Sequence, residues 1–215
     1  IVGFWGFLMA CMILPGEGWS WSGSTGTTIY GTPMNLSALS FNILMGIAGG
    51  IIGAWLLNRD PFWMMSGALA GIISVASGLD VYFPALAFIV AIVAGLLLRP
   101  AAKMLENFGI DDAVGAVTVH GTIGVYGMVV FGIFASGFPA LFIENAPTIS
   151  ILGQLVSAIV CSLCGFIPGY LLSLVLSSLG MLRTPEAAEI AGLDTTKVPA
   201  QAFPEGIPAS AQPAE

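Results

Sequence analysis

The chain has a single histidine, His120, set in Val117-Thr118-Val119-His120-Gly121-Thr122-Ile123-Gly124. It is the one conventional ionisable side chain deep inside an apolar run. No Lys, Arg, Asp or Glu falls within any of the long apolar stretches. Ionisable groups are costly in a membrane and usually face a bundle interior or a cavity. A neutral imidazole has one donor and one acceptor nitrogen. That chemistry suits the passage of a small hydrogen-bonding solute, or a proton relay. The alternative is a structural histidine bonded to a backbone carbonyl, Thr118 or Thr122. A metal site is not expected, because a lone His without carboxylates or thiolates at ligand spacing cannot complete a coordination shell. Gly121 follows directly, and its missing side chain leaves space for a solute beside the ring.

A second constellation is Glu17, Asp80, Trp19, Trp21 and Tyr82, near the ends of the first four apolar stretches. Acids and aromatic faces together attract cations. The alternative is an aromatic belt at the membrane interface with ordinary loop acids. Cys161 and Cys164 form a C-x-x-C, but IVCSLCGFIPG supplies no second pair and no histidine. They read as small residues of an apolar helix, as does Cys11. No cofactor is expected.

The elements that position these groups follow from composition. Apolar residues are 57% of the chain and charged residues 8%. Soluble domains run near a quarter charged, so much of this surface must face lipid. The net charge of −7 excludes a basic nucleic-acid footprint. Glu186, Glu189, Asp194, Glu205 and Glu215 all sit in a tail. About 20 apolar residues cross a hydrocarbon core of about 30 Å as a helix. Six such stretches are expected, at about 1–14, 36–57, 62–79, 81–98, 113–135 and 148–179, the first incomplete. The fold class is therefore all-α, a polytopic transmembrane helix bundle in residues 1–180. A cytoplasmic tail at 181–215 follows, with a short helix possible in 184–193 and disorder expected in 198–215. Alternating spans put Arg59, Arg99, Lys103, Arg183 and Lys197 all on one side. By the positive-inside rule that side is cytoplasmic, and so is the C-terminus. Ile1 opens directly in an apolar helix of fourteen residues, about 21 Å at 1.5 Å per residue. Residues upstream are expected.

Three motifs carry a resemblance. Ile110-Asp111-Asp112-Ala113-Val114-Gly115-Ala116-Val117-Thr118-Val119-His120-Gly121-Thr122-Ile123-Gly124 resembles the ammonium transporter signature around its second pore histidine. Ser66-Gly67-Ala68-Leu69-Ala70-Gly71-Ile72-Ile73, with Asp80 and Pro84, is similar to the eighth-helix pattern of that family. Gly180-Met181-Leu182-Arg183-Thr184-Pro185-Glu186, through Glu189 to Gly192-Leu193-Asp194, resembles its cytoplasmic tail. The matches cover about residues 36–195, in the family order. The related Rhesus-type channels have a less similar histidine motif.

The resemblance implies a great deal beyond the residues themselves. Family members have eleven spans, built as two inverted five-helix repeats plus a long last helix. This chain would be the second repeat with that last helix. It implies a homotrimer with one pore per subunit, in the cytoplasmic membrane. Ammonium would be recruited by aromatic rings and a hydroxyl, and ammonia would pass two facing histidines. It implies transport rather than enzymatic chemistry, with His120 as a hydrogen-bonding pore group. Asp112 would fix local structure at the start of the histidine helix. Thr184–Asp194 would pack under a neighbouring subunit and offer a docking point for a cytoplasmic regulatory protein. Two departures stand out. The partner histidine and an outer carboxylate belong to the first repeat. The sixth-helix stretch is replaced by Cys11-Met12-Ile13-Leu14-Pro15-Gly16-Glu17-Gly18. Leu14 or a neighbour then stands where a gating Phe is expected, with Ser20, Ser22 and Ser24 as candidates for the recruiting hydroxyl. An ammonium sensor, or an accessory membrane subunit that only packs, is the rival reading.

Overall fold

The computed structural model describes residues 1–13, 20–23, 26–139, 145 and 147–192. Its helices are α1 (Val2–Ile13), α2 (Leu36–Asn58), α3 (Pro61–Val75), α4 (Pro84–Asn107), α5 (Ile123–Phe134), α6 (Ile151–Ser178) and α7 (Glu186–Ala191). A 3₁₀ turn, Ala76–Gly78, extends α3, and a π-helical turn, Val117–Thr122, leads into α5. Strands β1 (Gly26–Thr27) and β2 (Pro33–Met34) form a small antiparallel ribbon in the segment before α2. Among the described residues the architecture is all-helical apart from that ribbon. Among the described residues, five helical stretches are long and apolar enough to cross a membrane: Leu36–Leu57, Pro61–Gly78, Pro84–Asn107, Val117–Phe134 and Ile151–Ser178. The first of the six expected stretches is a shorter apolar helix, Val2–Cys11 in its apolar part. The chain divides into two compact units, Ile1–Ser162 and Leu163–Glu215, with the division inside α6.

Local chemistry sets the helix ends. Asn35 caps α2, its Oδ1 accepting from the N–H of Ala38 at 2.8 Å. Asp60 caps α3 by accepting from the N–H of Phe62 at 2.9 Å, and Pro61 stands at the first helical position. Both satisfy donors that a helix start leaves free. Arg59 takes the left-handed conformation (φ 44°) that closes α2 and lets α3 begin within two residues. α4 starts at Pro84 rather than at Val81 and continues through Pro100 to Asn107 rather than stopping at Leu98. The extra turns carry Arg99, Lys103 and Glu106, with Arg99 Nη1 3.8 Å from Glu106 Oε1. Arg99 also lies over the Trp63 ring, and Arg59 over the Trp55 ring. Polar groups and amphipathic aromatics thus collect at one end of the bundle.

The core of the first unit is α2 wedged between α3 and α4, and glycines make the wedge possible. A Cβ at Gly50 would run into the carbonyl oxygen of Gly67, and one at Gly71 into that of Gly46. On the next face of α2, a Cβ at Gly53 would run into the carbonyl of Ile92, and one at Gly95 into that of Gly50. The two offset pairs, Gly46/Gly50 and Gly49/Gly53, therefore serve two different neighbours. Helices approach to backbone contact there, where lipid offers no competing hydrophobic gain. Around this contact Leu39, Ile43, Ile72, Val75, Val90 and Leu98 are almost fully buried. α5 joins by a third close approach, because a Cβ at Gly127 would sit 2.8 Å from the carbonyl oxygen of Ser74.

Gly71→Ala forces α2 and α3 apart and is expected to cost about 1–3 kcal/mol of stability. Gly124→Ala, whose Cβ would meet nothing within 4 Å, is expected to leave stability unchanged or slightly raised. Thermal unfolding of the two variants in detergent checks the contrast.

Candidate functional site

His120 belongs to the π-helical turn Val117–Thr122. The signature is the N–H of Ile123 reaching the carbonyl of Thr118, five residues back. Such turns insert a residue into a helix and redirect side chains, often at functional sites. This one is held from both ends. At its start Asp112 accepts from the N–H of Val117 at 3.0 Å, the N–H of Thr118 at 2.8 Å and the Thr118 hydroxyl at 2.8 Å. Gly115 makes the tight approach to the turn with φ +71° and donates its N–H to the Asp112 carbonyl at 2.8 Å. At the far end Ile123 is fully buried and Gly127 sits against Ser74. The turn absorbs the register between these two anchors.

The result separates two faces. Thr118, Val119 and Ile123 turn inward and are buried. His120 and Gly121 turn outward and are exposed on the chain's surface. Val117 and Val125 share that exposure, at 48% and 40%, so the imidazole sits on an otherwise apolar face. A Cβ at Gly121 would touch only Val117, at 3.5 Å, and one at Gly124 nothing. These two glycines do not serve the helix contacts described above; they leave the surface beside His120 shallow. Among the described residues the His120 ring has no hydrogen bond to a backbone carbonyl, Thr118 or Thr122, and the Thr118 hydroxyl donates instead to Asp112. An apolar groove of about 470 Å³, lined by Ile1, Ile51, Met64, Met65, Ala68 and Leu69, lies elsewhere and contains neither His120 nor an acid.

The other sequence candidates fall in different places. Leu14, Trp19 and Ser24 lie outside the described residues, as does Glu17. Trp21 stacks on Trp5 of α1 with centroids 6.3 Å apart, and its carbonyl accepts from the Ser37 hydroxyl at 2.6 Å. Asp80 stands in the link between α3 and α4, at the opposite end of α4 from Asp112; 24 helical residues span about 36 Å. Burial, opposed only by a hydrogen bond from its own backbone N–H, pushes the Asp80 carboxyl up to about 6. For Asp112 burial is outweighed by the hydrogen bonds from Thr118 and Val117, which hold the carboxyl below its ordinary value. Cys11, Cys161 and Cys164 are free.

Residues that are not ionisable in the ordinary range organise the Asp80 end. Asn42, fully buried in α2, donates through Nδ2 to the carbonyls of Leu79 at 3.0 Å and Tyr82 at 2.7 Å. The ribbon segment joins the same link, with the N–H of Ile29 donating to the carbonyl of Val81 at 2.9 Å and Tyr30 packed edge-on against Phe83 at 4.6 Å. The available signal was Asn42 itself, a lone amide within the apolar stretch 36–57.

With this geometry in view, similarity to known proteins is specific. Residues 4–203 match the family model described as Ammonium Transporter Family. Ammonium transporter Amt2 of Methanocaldococcus jannaschii is 36% identical over 163 residues, which is 75% of this chain and 38% of that protein. Ammonium transporter Amt1 of the same organism is 34% identical over 175 residues, 80% of this chain and 44% of that protein. The solved structure of a sensor Amt protein superposes with a TM-score of 0.64 at 25% identity, covering 76% of this chain and 42% of that one. The chain thus spans less than half the length of these relatives.

The two acids predict opposite pH dependences. Asp112 is depressed, so its stabilisation is present above the ordinary carboxylate range and fades as pH falls through it. Asp112→Asn is expected to cost about 1 kcal/mol near neutrality, with the difference from wild type shrinking in acid. Asp80 is raised, so the native state holds a proton longer than the unfolded one. Stability is then expected to fall as pH rises from about 4 to about 6, and Asp80→Asn to remove that fall. Melting temperature against pH for both variants measures each sign.

Proposed function

Because the chain belongs to the ammonium transporter family, we propose that it forms one wall of a path for ammonium or ammonia, with His120 as that wall's hydrogen-bonding group. The observation that carries this is the outward-facing imidazole, held by a π turn on an apolar face with open glycines beside it. A bare cation is expensive in hydrocarbon. Neutral ammonia is cheaper there, and an imidazole can give or take one hydrogen bond with it. The facing wall comes from residues beyond those described or from another chain. Asp112 acts on this path only by capping the helix that carries His120. By resemblance, gating and recruitment of ammonium fall to Leu14, Trp19 and Ser24. The end bearing Arg59, Arg99 and Lys103 is assigned to the cytoplasm, and the assembly to a homotrimer in the cytoplasmic membrane. Arg183 pairs with Glu189 at 2.7 Å, and Thr184 bonds the same carboxylate at 3.3 Å. That clasp around the start of α7 suits a docking point for a cytoplasmic regulatory protein.

The likeness to a sensor Amt protein favours one other reading, ammonium binding without flux. Uptake of labelled methylammonium into proteoliposomes holding the whole assembly separates the two. Saturable uptake that drops about tenfold in His120→Ala supports the path; losing one hydrogen bond of about 1.4 kcal/mol corresponds to that factor. Binding without uptake supports the sensor. Uptake and selectivity unchanged in His120→Ala overturn the role given to His120.

A further inference from the structure

The bundle core holds two polar atoms that packing alone leaves without partners. Asn42 Oδ1 and Tyr82 Oη are both buried, and neither has a hydrogen-bond partner among the described residues. The residues that carry them are fully inaccessible, each at 0% exposure. The Asn42 amide orientation is set by its other end, because Nδ2 donates to two carbonyls, those of Leu79 and Tyr82. Turning the amide over would set Oδ1 against both carbonyls. The acceptor is therefore genuinely spare. The Tyr82 ring lies on Gly78, where a Cβ would overlap its tip, and edge-on to Phe131 at 6.1 Å. Its hydroxyl is thereby carried into the contact of α3 with α5.

Two further hydroxyls belong to α3 and α5. The Ser74 hydroxyl donates to the Gly71 carbonyl at 2.8 Å, and the Tyr126 hydroxyl to the Val90 carbonyl at 3.0 Å. Each keeps acceptor capacity after that donation. A buried polar atom without a partner costs about 1–3 kcal/mol. Native structures avoid that cost with ordered water, which bonds to two to four polar groups.

We propose that Asn42 Oδ1 and Tyr82 Oη are each held by internal water beneath the α3–α4 link. Water is the fitting guest because a site with no accessible surface disfavours an ion. The site explains why an amide and a phenol persist in a core otherwise built from glycine and aliphatic contact.

Tyr82→Phe decides the matter by its sign. A dry, unpartnered hydroxyl destabilises the native state, so removing it raises the melting temperature. A hydrated hydroxyl contributes a bond, so removing it lowers the melting temperature by several degrees, ~1 kcal/mol being worth ~2–8 °C. The assembled protein in detergent is the sample, and a density map of the wild type at better than about 2 Å supplies the second measurement. The expected result is a lowered melting temperature together with a density peak within hydrogen-bond distance of each atom. A melting temperature that holds or rises, or a map empty beside either atom, overturns the proposal.

Discussion

Apolar side chains gain little by leaving lipid for one another, so a membrane bundle must find its cohesion in contact itself. In this chain that contact is the meeting of α2 with α3 and α4 at bare backbone. Gly46 and Gly50 face Gly67 and Gly71, while Gly49 and Gly53 face Ile92 and Gly95. Everything else is hung on this wedge. α5 docks on α3 only because Gly127 reaches the Ser74 backbone, and the histidine turn is placed by that docking. Filling one of these positions displaces a helix rather than a side chain.

The histidine turn shows how such a frame presents a reactive group. Asp112 pins the N-terminal donors with charge-assisted hydrogen bonds, and Gly127 pins the far end by contact. Between two fixed points the chain takes the π register. Thr118, Val119 and Ile123 bury while His120 faces out. The backbone carrying the imidazole is thus fixed at both ends, and among the described residues nothing bonds to its ring. That leaves both ring nitrogens available to a solute, which is what the proposed path needs.

The opposite end of α4 is built on another principle. The α3–α4 link buries its carbonyls, and Asn42 answers two of them with one amide. Hydrogen bonds there do what glycine contact does in the middle of the bundle. The price is an amide oxygen and a phenol without protein partners in the core, and Asp80 held in a setting that favours its neutral form. The bundle is cohesive through contact at its centre and through polar groups at its ends.

Much of this was legible without coordinates. Apolar length and few charges determined an all-helical membrane class, since backbone groups in hydrocarbon must be paired within a helix. Spacing marked the glycine faces of 46–53 and 67–71, and the motif around His120 pointed to its family. What spacing could not assign was the neighbour of each face, because two glycine pairs on one helix meet different partners only once three helices pack. Nor did it show that Gly121 and Gly124 are open while Gly127 is in contact, since all three look alike along the chain. The continuation of α4 through Pro100 to Asn107 was hidden by its charges, which resemble a loop when read one residue at a time. The π turn depends on two anchors distant from each other, Asp112 and Ser74, so no local pattern encodes it. Sequence by itself determined that His120 is the ionisable group of the membrane interior. Tertiary structure alone decided that it faces outward from this chain, because the facing direction of a helix is set by what it packs against.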